Sequence, residues 1–424
     1  MRDQARVLEV LRSVFGHAAL RPGQEAVIGA ILAGRDVLAV RATGFGKSLC
    51  YQLPALLLPR PTVVVSPLIA LMQDQVEGLL ARGIDAASYS SALDRSERQA
   101  LTDRLPHAPP RLIYLSPEAL ATERVRELAA TLSPARVIVD EAHCISEWGH
   151  EFRPEYRNIG RFLEISGHPP VAAFTATATP HTRADIEASL RLRAPARFVS
   201  SVDRPNLIWS VSRTGGSAIF VEEVHAAIER ALEPGGRSSA LLYLLSRAGT
   251  VRLAHQLRRL GWQTAVYHAG LDAATRSVLQ SEFTAGRYRV MCATSAFGMG
   301  VDHPEIRAVV HVGMPAALEA YVQEAGRAGR DGSRARCLLI PVPGDFRLHR
   351  DRIRARHGRS IRGEAPPARL ANRARARLRA MRGYAVARGC RRAAIARYFG
   401  EPKPRCGGCD RCGDAAVGNP RQRS

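Results

Sequence analysis

A short apolar strand that runs straight into a glycine-rich turn and then a helix constrains this chain more than any other feature. Residues 36–40 read as the strand, Arg41-Ala42-Thr43-Gly44-Phe45-Gly46 as the turn, and Lys47-Ser48-Leu49-Cys50-Tyr51-Gln52-Leu53 as the helix start. Glycines let the backbone turn so tightly that successive N–H groups face one concavity, and the helix N-terminus adds its positive dipole end. Such a loop wraps a phosphate. Lys47 can then reach the β- and γ-phosphates of a nucleotide and Ser48 can offer its hydroxyl to Mg²⁺, with Thr43, Gly44 and Gly46 in the wrapping backbone. Arg41 stands where the strict pattern has its first glycine, so the remainder of the chain has to carry the reading.

Strand-like runs at residues 62–66, 111–115, 135–139 and 171–174 alternate with helical stretches, and the alternation resumes at 239–245, 264–267, 288–293 and 308–311. Short apolar strands separated by helices imply parallel sheets covered on both faces, with ligands at the strands' C-terminal ends. The fold class is therefore α/β, with two parallel-sheet lobes that repeat one architecture. Residues 194–213 read as the linker between them. The expected division is 1–204, 205–345, an Arg-rich helical region 346–415 and a polar tail 416–424. A formal net charge of +22 suggests a polyanion partner or a coding bias towards arginine. The most apolar stretch, residues 53–72, carries Arg60 and four prolines and cannot span a membrane. Together with a polar start, this suggests a cytoplasmic protein.

Two acids at one strand end add the second half of the chemistry. In Asp140-Glu141-Ala142-His143, Asp140 is placed to hold Mg²⁺ through water and Glu141 to polarise an attacking water. Gln24 is a candidate adenine reader, because an amide both donates and accepts as that base requires, and Arg21 stands near it. Beyond the acids, Trp148, Phe152 and Tyr156 offer stacking surface for exposed bases, and Arg153 a phosphate clamp. Gln323, Arg327 and Arg330 follow at spacings of four and three on one expected helix, with glycines beside the arginines. Two such guanidiniums suit the charge that develops on a γ-phosphate.

The run from Asp140 through His150-Glu151-Phe152-Arg153-Pro154-Glu155-Tyr156 resembles motif II and the aromatic-rich loop of the RecQ DNA helicases, and Arg21-Pro22-Gly23-Gln24 resembles that family's motif 0. The resemblance implies two stacked RecA-like domains with ATP between them. It implies an ATP- and Mg²⁺-dependent motor with 3′-to-5′ polarity on single-stranded, tailed or forked DNA; protein partners stay open. It makes Lys47, Asp140, Glu141, Arg327 and Arg330 catalytic, the last two as arginine fingers of motif VI, with Arg21, Gln24 and Gln323 at the nucleotide. Ser246, Arg247, His268 and Thr294, with the run to Asp302, match motifs that contact the DNA backbone.

About a third of residues 347–392 are arginine, which suits either a solvated helical face or a groove along a phosphate backbone. Cys390 and then Cys406, Cys409 and Cys412 have the number and spacing of a tetrahedral thiolate Zn²⁺ site, although an iron–sulfur cluster uses the same ligands. The family's zinc-binding region favours zinc. The other four cysteines, Cys50, Cys144, Cys292 and Cys337, read as buried thiols. The family's winged-helix and terminal helical modules have no counterpart before Ser424. The alternatives are therefore a DNA-stimulated translocase or annealing factor that unwinds poorly, RNA as substrate, and a non-enzymatic zinc-dependent nucleic-acid-binding module.

Overall fold

The computed structural model describes residues 2–149, 151–212, 219–297, 303–358 and 368–414. His150, Arg213, residues 298–302 of the second-lobe DNA motif, part of the arginine-rich run and the tail 416–424 lie outside the described residues. The chain forms two compact units, Met1–Ser200 and Ser201–Ser424.

The first unit is built on β1 (Val37–Val40), β2 (Thr62–Val65), β3 (Ala86–Tyr89), β4 (Leu112–Leu115), β5 (Arg136–Val139), β6 (Val171–Thr175) and β7 (Ala196–Val199). Their order is β3-β4-β2-β5-β6-β1-β7, and every pairing is parallel. Strands β1, β2, β4, β5 and β6 are buried at every position, as expected of apolar runs covered on both faces. Val40 pairs with Thr175 and Val65 with Val139, so the residues that follow these strands emerge along one sheet edge.

The second unit repeats the plan with β8 (Leu207–Val211), β9 (Ser239–Leu244), β10 (Thr264–Tyr267), β11 (Val290–Ala293), β12 (Ile306–Val312) and β13 (Ala335–Ile340), in the order β10-β11-β9-β12-β13-β8. A short hairpin, β14 (Gly408–Cys409) and β15 (Gly413–Asp414), joins β8 where Cys409 pairs with Trp209. Helix Ala368–Val386 turns Ala371, Leu378, Met381 and Tyr384 inward. Most of these join Ile395, Phe399 and Cys409 in the sheet's own core, so the arginine-rich region is continuous with the second unit. Among the described residues, Arg347, Arg350, Arg352, Arg369, Arg379 and Arg388 are some of its exposed arginines.

Two expectations are corrected. Residues 194–213 are not a plain linker, because they hold β7, at the edge of the first sheet, and β8, between β13 and β14 in the second, with the division falling after Ser200. An edge strand needs no continuous apolar run, and in β7 only Ala196 is buried. The helix expected to carry Gln323, Arg327 and Arg330 ends at Ala325. Both arginines lie in the turn that follows, where Gly329 takes φ +54° and a Cβ would sit 2.5 Å from the Ser333 carbonyl oxygen. No L-residue with a side chain fits that turn easily.

Candidate functional site

The phosphate loop lies between β1 and helix Lys47–Leu57. Gly44 and Gly46 have φ of +88° and +84°, the left-handed region open to glycine. Arg41, which replaces the first glycine of the strict pattern, packs on the loop itself, its guanidinium lying 4.8 Å over the Phe45 ring. Arg41 also donates to Ser200 Oγ at 2.7 Å. Lys47 Nζ donates to the Arg41 carbonyl at 3.2 Å. Gln24 is buried, and both ends of its amide are engaged. Its Oε1 accepts from the Arg21 N–H at 2.8 Å, and its Nε2 donates to the Phe45 carbonyl at 2.9 Å. The Arg21 guanidinium donates to the Gly44 carbonyl. Motif 0 and the loop are thus one hydrogen-bonded assembly, and Gln24 faces the loop backbone.

Asp140 and Glu141 emerge from β5 two strands away from β1 in the sheet. Burial and then the neighbouring Glu141 charge push Asp140 up to about 7, against the pull of the Lys47 ammonium. Burial alone would raise Glu141 as well, but the His143 imidazole and the Lys47 charge bring it below its ordinary value. Lys47 therefore acts on both acids. Glu141 takes a left-handed φ of +45°, uncommon for a side chain of its kind. His143 Nδ1 lies 3.3 Å from Glu141 Oε2 and 2.9 Å from Thr175 Oγ1 at the end of β6. Burial opposes charge on His143, yet Cys144, Glu141 and Glu151 around it hold the imidazole well above its ordinary range. The oxygens of Ser48 and Asp140 are hard donors of the kind Mg²⁺ takes.

The aromatic loop divides. Trp148 is half-buried and stacks on His181 with centroids 5.4 Å apart, and Phe152 lies 5.6 Å from the Arg157 guanidinium. Tyr156 is 2% exposed and its hydroxyl donates to the Asp140 carbonyl at 3.0 Å, so it cannot stack on a base. It braces the acid-bearing turn, a role with no local sequence signal. Arg153 Nη1 donates to the Pro67 carbonyl at 3.0 Å, and its backbone N–H to the Cys144 carbonyl at 2.9 Å, which ties the loop back to the acids.

In the second unit, Ser246, Arg247, His268 and Thr294 follow the neighbouring strands β9, β10 and β11. Ser246 caps helix Arg247–Arg259 through the Gly249 N–H at 3.1 Å. Gly270 keeps Arg247 and His268 close, because a Cβ there would meet Arg247 Nη1 at 2.9 Å and His268 Nδ1 at 3.3 Å. Arg327 is 5% exposed, and its Nε and Nη1 find no hydrogen-bond partner among the described residues. Gln323 Oε1 is likewise buried without one. The turn that holds Arg327 and Arg330 is pinned by Arg204, which donates to the Gly326 and Gly329 carbonyls, and by Asn206, which donates to Gly329 and Ser333. Sequence reading had assigned neither residue a task.

Cys390, Cys406, Cys409 and Cys412 bring their sulfurs within 4.8 Å of one another. Burial raises Cys409, but backbone N–H groups of Arg391, Arg411 and Cys412 outweigh it and hold the thiol below its ordinary value. Four convergent sulfurs, one already favoured as thiolate, fit a closed structural Zn²⁺ site. Around it Arg391, fully buried, makes a bidentate pair with Asp410 at 2.9 and 3.0 Å, and Arg392 makes another with Asp203. Cys50, Cys144, Cys292 and Cys337 are buried thiols, as expected.

Residues 21–186 match the DEAD/DEAH box helicase family, 223–332 the helicase conserved C-terminal domain and 343–413 the RecQ zinc-binding family. The chain is 39% identical over 409 residues to the ATP-dependent DNA helicase RecQ of Pasteurella multocida, covering 96% of this chain and 62% of the relative. It is 41% identical over 345 residues to the probable ATP-dependent DNA helicase RecS of Bacillus subtilis, covering 81% and 68%. With the mouse ATP-dependent DNA helicase Q5 it shares 37% over 438 residues, 98% of this chain and 44% of that protein. The chain thus spans less than two thirds of the Pasteurella and mouse proteins. Among solved structures, the DUF1998 helicase MrfA bound to DNA superposes with a TM-score of 0.65 at 19% identity, over 85% of this chain and 54% of that one. Mycobacterium smegmatis Lhr bound to ssDNA and AMP-PNP gives 0.63 at 21%, over 93% and 55%. These two share the fold, two RecA-like parallel-sheet domains. Three matched families in the order of the chain, and relatives that align along most of its length, settle its kinship: the chain belongs to the RecQ family of DNA helicases.

Proposed function

We propose that this chain couples Mg²⁺-dependent ATP hydrolysis to 3′-to-5′ movement along single-stranded DNA and to the opening of tailed or forked duplexes. The observation that carries this reading is that Lys47, in the helix that follows β1, and the acids that follow β5 come off the same ends of parallel strands in the first sheet, near enough for the Lys47 charge to act on both carboxylates. Lys47 neutralises the β- and γ-phosphates, held in the N–H concavity of Thr43, Gly44 and Gly46. Ser48 and Asp140 hold Mg²⁺, which when bound draws off charge on the transferring phosphoryl group. Glu141 orients the attacking water. Arg327 and Arg330 stabilise the developing γ-phosphate charge, a task that suits the unpartnered nitrogens of Arg327. Arg21 and Gln24 meet the base, with Gln323 also at the nucleotide. Trp148, Phe152, Arg153, Ser246, Arg247, His268 and Thr294 contact DNA.

The test is strand separation of a 3′-tailed duplex alongside ATPase stimulated by single-stranded DNA. Both are expected, and both are expected to vanish in Lys47→Ala while DNA affinity stays within a few-fold. Stimulated ATPase without strand separation would leave a translocase. Turnover that survives in Lys47→Ala would remove the assignment of the loop. DNA rather than RNA is the expected activator.

A narrower prediction concerns the aromatic loop. Trp148→Ala is expected to cut stimulation by DNA about five- to 150-fold and leave basal ATPase nearly unchanged, since base stacking is worth about 1–3 kcal/mol per aromatic. Steady-state ATPase with and without an oligonucleotide reads it. Equal losses in both rates would make Trp148 a packing residue held by His181.

A further inference from the structure

We propose that His143, Cys144 and Glu151 form a second metal site, one that takes Zn²⁺ with three protein ligands and an open fourth position. Their ligand atoms all lie within 4.8 Å of one another. His143 Nε2 is 3.8 Å from Cys144 Sγ and 3.7 Å from Glu151 Oε2. Tetrahedral zinc, with bonds of about 2.3 Å to sulfur and about 2.0–2.1 Å to nitrogen and oxygen, separates such atoms by about 3.4–3.6 Å. For the two pairs that include His143, closing the difference takes a few tenths of an ångström.

Imidazole, thiolate and carboxylate together are a donor set suited to zinc, and too soft for Mg²⁺. The backbone builds the cluster. The one-turn helix Ala142–Ile145 holds His143 and Cys144 side by side, and the Arg153 N–H to Cys144 carbonyl bond at 2.9 Å folds the chain back so that Glu151 faces them. His143 and Cys144 are buried, whereas the Glu151 side chain is 37% exposed and provides the way in.

The other face of the imidazole supplies what a metal-bound histidine uses. With Nε2 on the metal, Nδ1 carries the proton and donates to Thr175 Oγ1 or Glu141 Oε2, at 2.9 and 3.3 Å. A carboxylate or hydroxyl behind the histidine fixes its tautomer and strengthens it as a ligand. Uptake of each Zn²⁺ releases the Cys144 thiol proton to solvent, and the extra imidazolium proton where His143 is charged.

The site has a consequence for turnover. Zinc would fix the ring that contacts Glu141 and bolt Glu151, from the aromatic loop, to the acid-bearing turn. Zinc in excess of the four-cysteine site is then an inhibitor of ATP hydrolysis. This second statement rests on Glu141 activating water; metal binding does not.

The experiment titrates the full chain, its four-cysteine metal retained, with Zn²⁺ against a chromophoric chelator, and with Co²⁺ as an absorbing probe. A second equivalent is expected in the micromolar range, with the charge-transfer band of a single thiolate. Glu151→Gln should weaken it about tenfold or more, and Cys144→Ser should abolish the band, with melting curves confirming that both variants fold. Failure to bind a second equivalent, or equal binding by Glu151→Gln, would overturn the site. Binding without inhibition would uphold the site and tell against Glu141 as the water activator.

Discussion

Glu141→Gln is expected to bind ATP as tightly as the parent protein and to hydrolyse it about 10²–10⁴-fold more slowly, the usual worth of a positioned general base. Glu141 must be ionised to accept a proton from water, and its surroundings keep it so. The His143 imidazole 3.3 Å away and the Lys47 ammonium favour its charged form, whereas burial and Glu141 itself push Asp140 up to about 7. A glutamine keeps the shape of the side chain and removes the basic oxygen. Fluorescent-nucleotide binding and single-turnover hydrolysis would be measured on one preparation. Turnover within tenfold of the parent would return Glu141 to a purely structural place. Affinity lost together with rate would mean the left-handed turn at Glu141 had collapsed.

The second large effect concerns the cysteines. Cys409→Ser is expected to drop bound zinc from one equivalent to a small fraction and to lower the melting temperature of the second unit by about 10 °C. That shift follows from a loss of about 3–5 kcal/mol in a unit of this size. Cys409 is 2% exposed, pairs with Trp209 of β8 and belongs to the sheet's own core, so the metal and the fold are joined at this residue. Cys412→Ser separates the two contributions, because Cys412 is exposed and its replacement disturbs little packing. Zinc lost in both variants would place the metal on these sulfurs. Zinc retained at full occupancy in Cys412→Ser, measured by atomic emission, would rule out the four-sulfur assignment.

What the sequence disclosed and what it hid divide along a physical line. The phosphate loop was legible because its glycines, lysine and serine act within a few residues of each other. The acids were legible because they end an apolar strand, and the cysteines because ligand spacing is a local property. Tyr156 was misread as a stacking residue, since its partner, the Asp140 carbonyl, is 16 residues away and nothing local marks the bond. Asp410 and Arg391, 19 residues apart, form a buried pair for which arginine-rich composition gave no hint. Strand β7 was taken for linker because pairing to β1, and not a continuous apolar run, makes it a strand, whereas β8 carries a largely apolar run that the linker reading passed over. The motif VI arginines were placed on a helix because spacing alone does not reveal that Gly329 ends in a left-handed conformation.

The bonds that Gln24 makes to the phosphate loop bear on how a nucleobase is chosen. The amide oxygen can accept twice and the NH₂ can donate twice; here the Arg21 N–H takes one lone pair of the oxygen, while the NH₂ donates to the Phe45 and Gly46 carbonyls at 2.9 and 3.4 Å. If Gln24 meets the base as proposed, a base that draws a hydrogen bond from this NH₂ has to displace a loop carbonyl, so that recognition of the base and release of the loop would become the same event. On that reading a nucleotide with the wrong exocyclic groups would still settle its phosphates but would leave the loop latched. Discrimination between nucleotides would then be expected in the rate at which a bound triphosphate is committed to hydrolysis, more than in how tightly it is held.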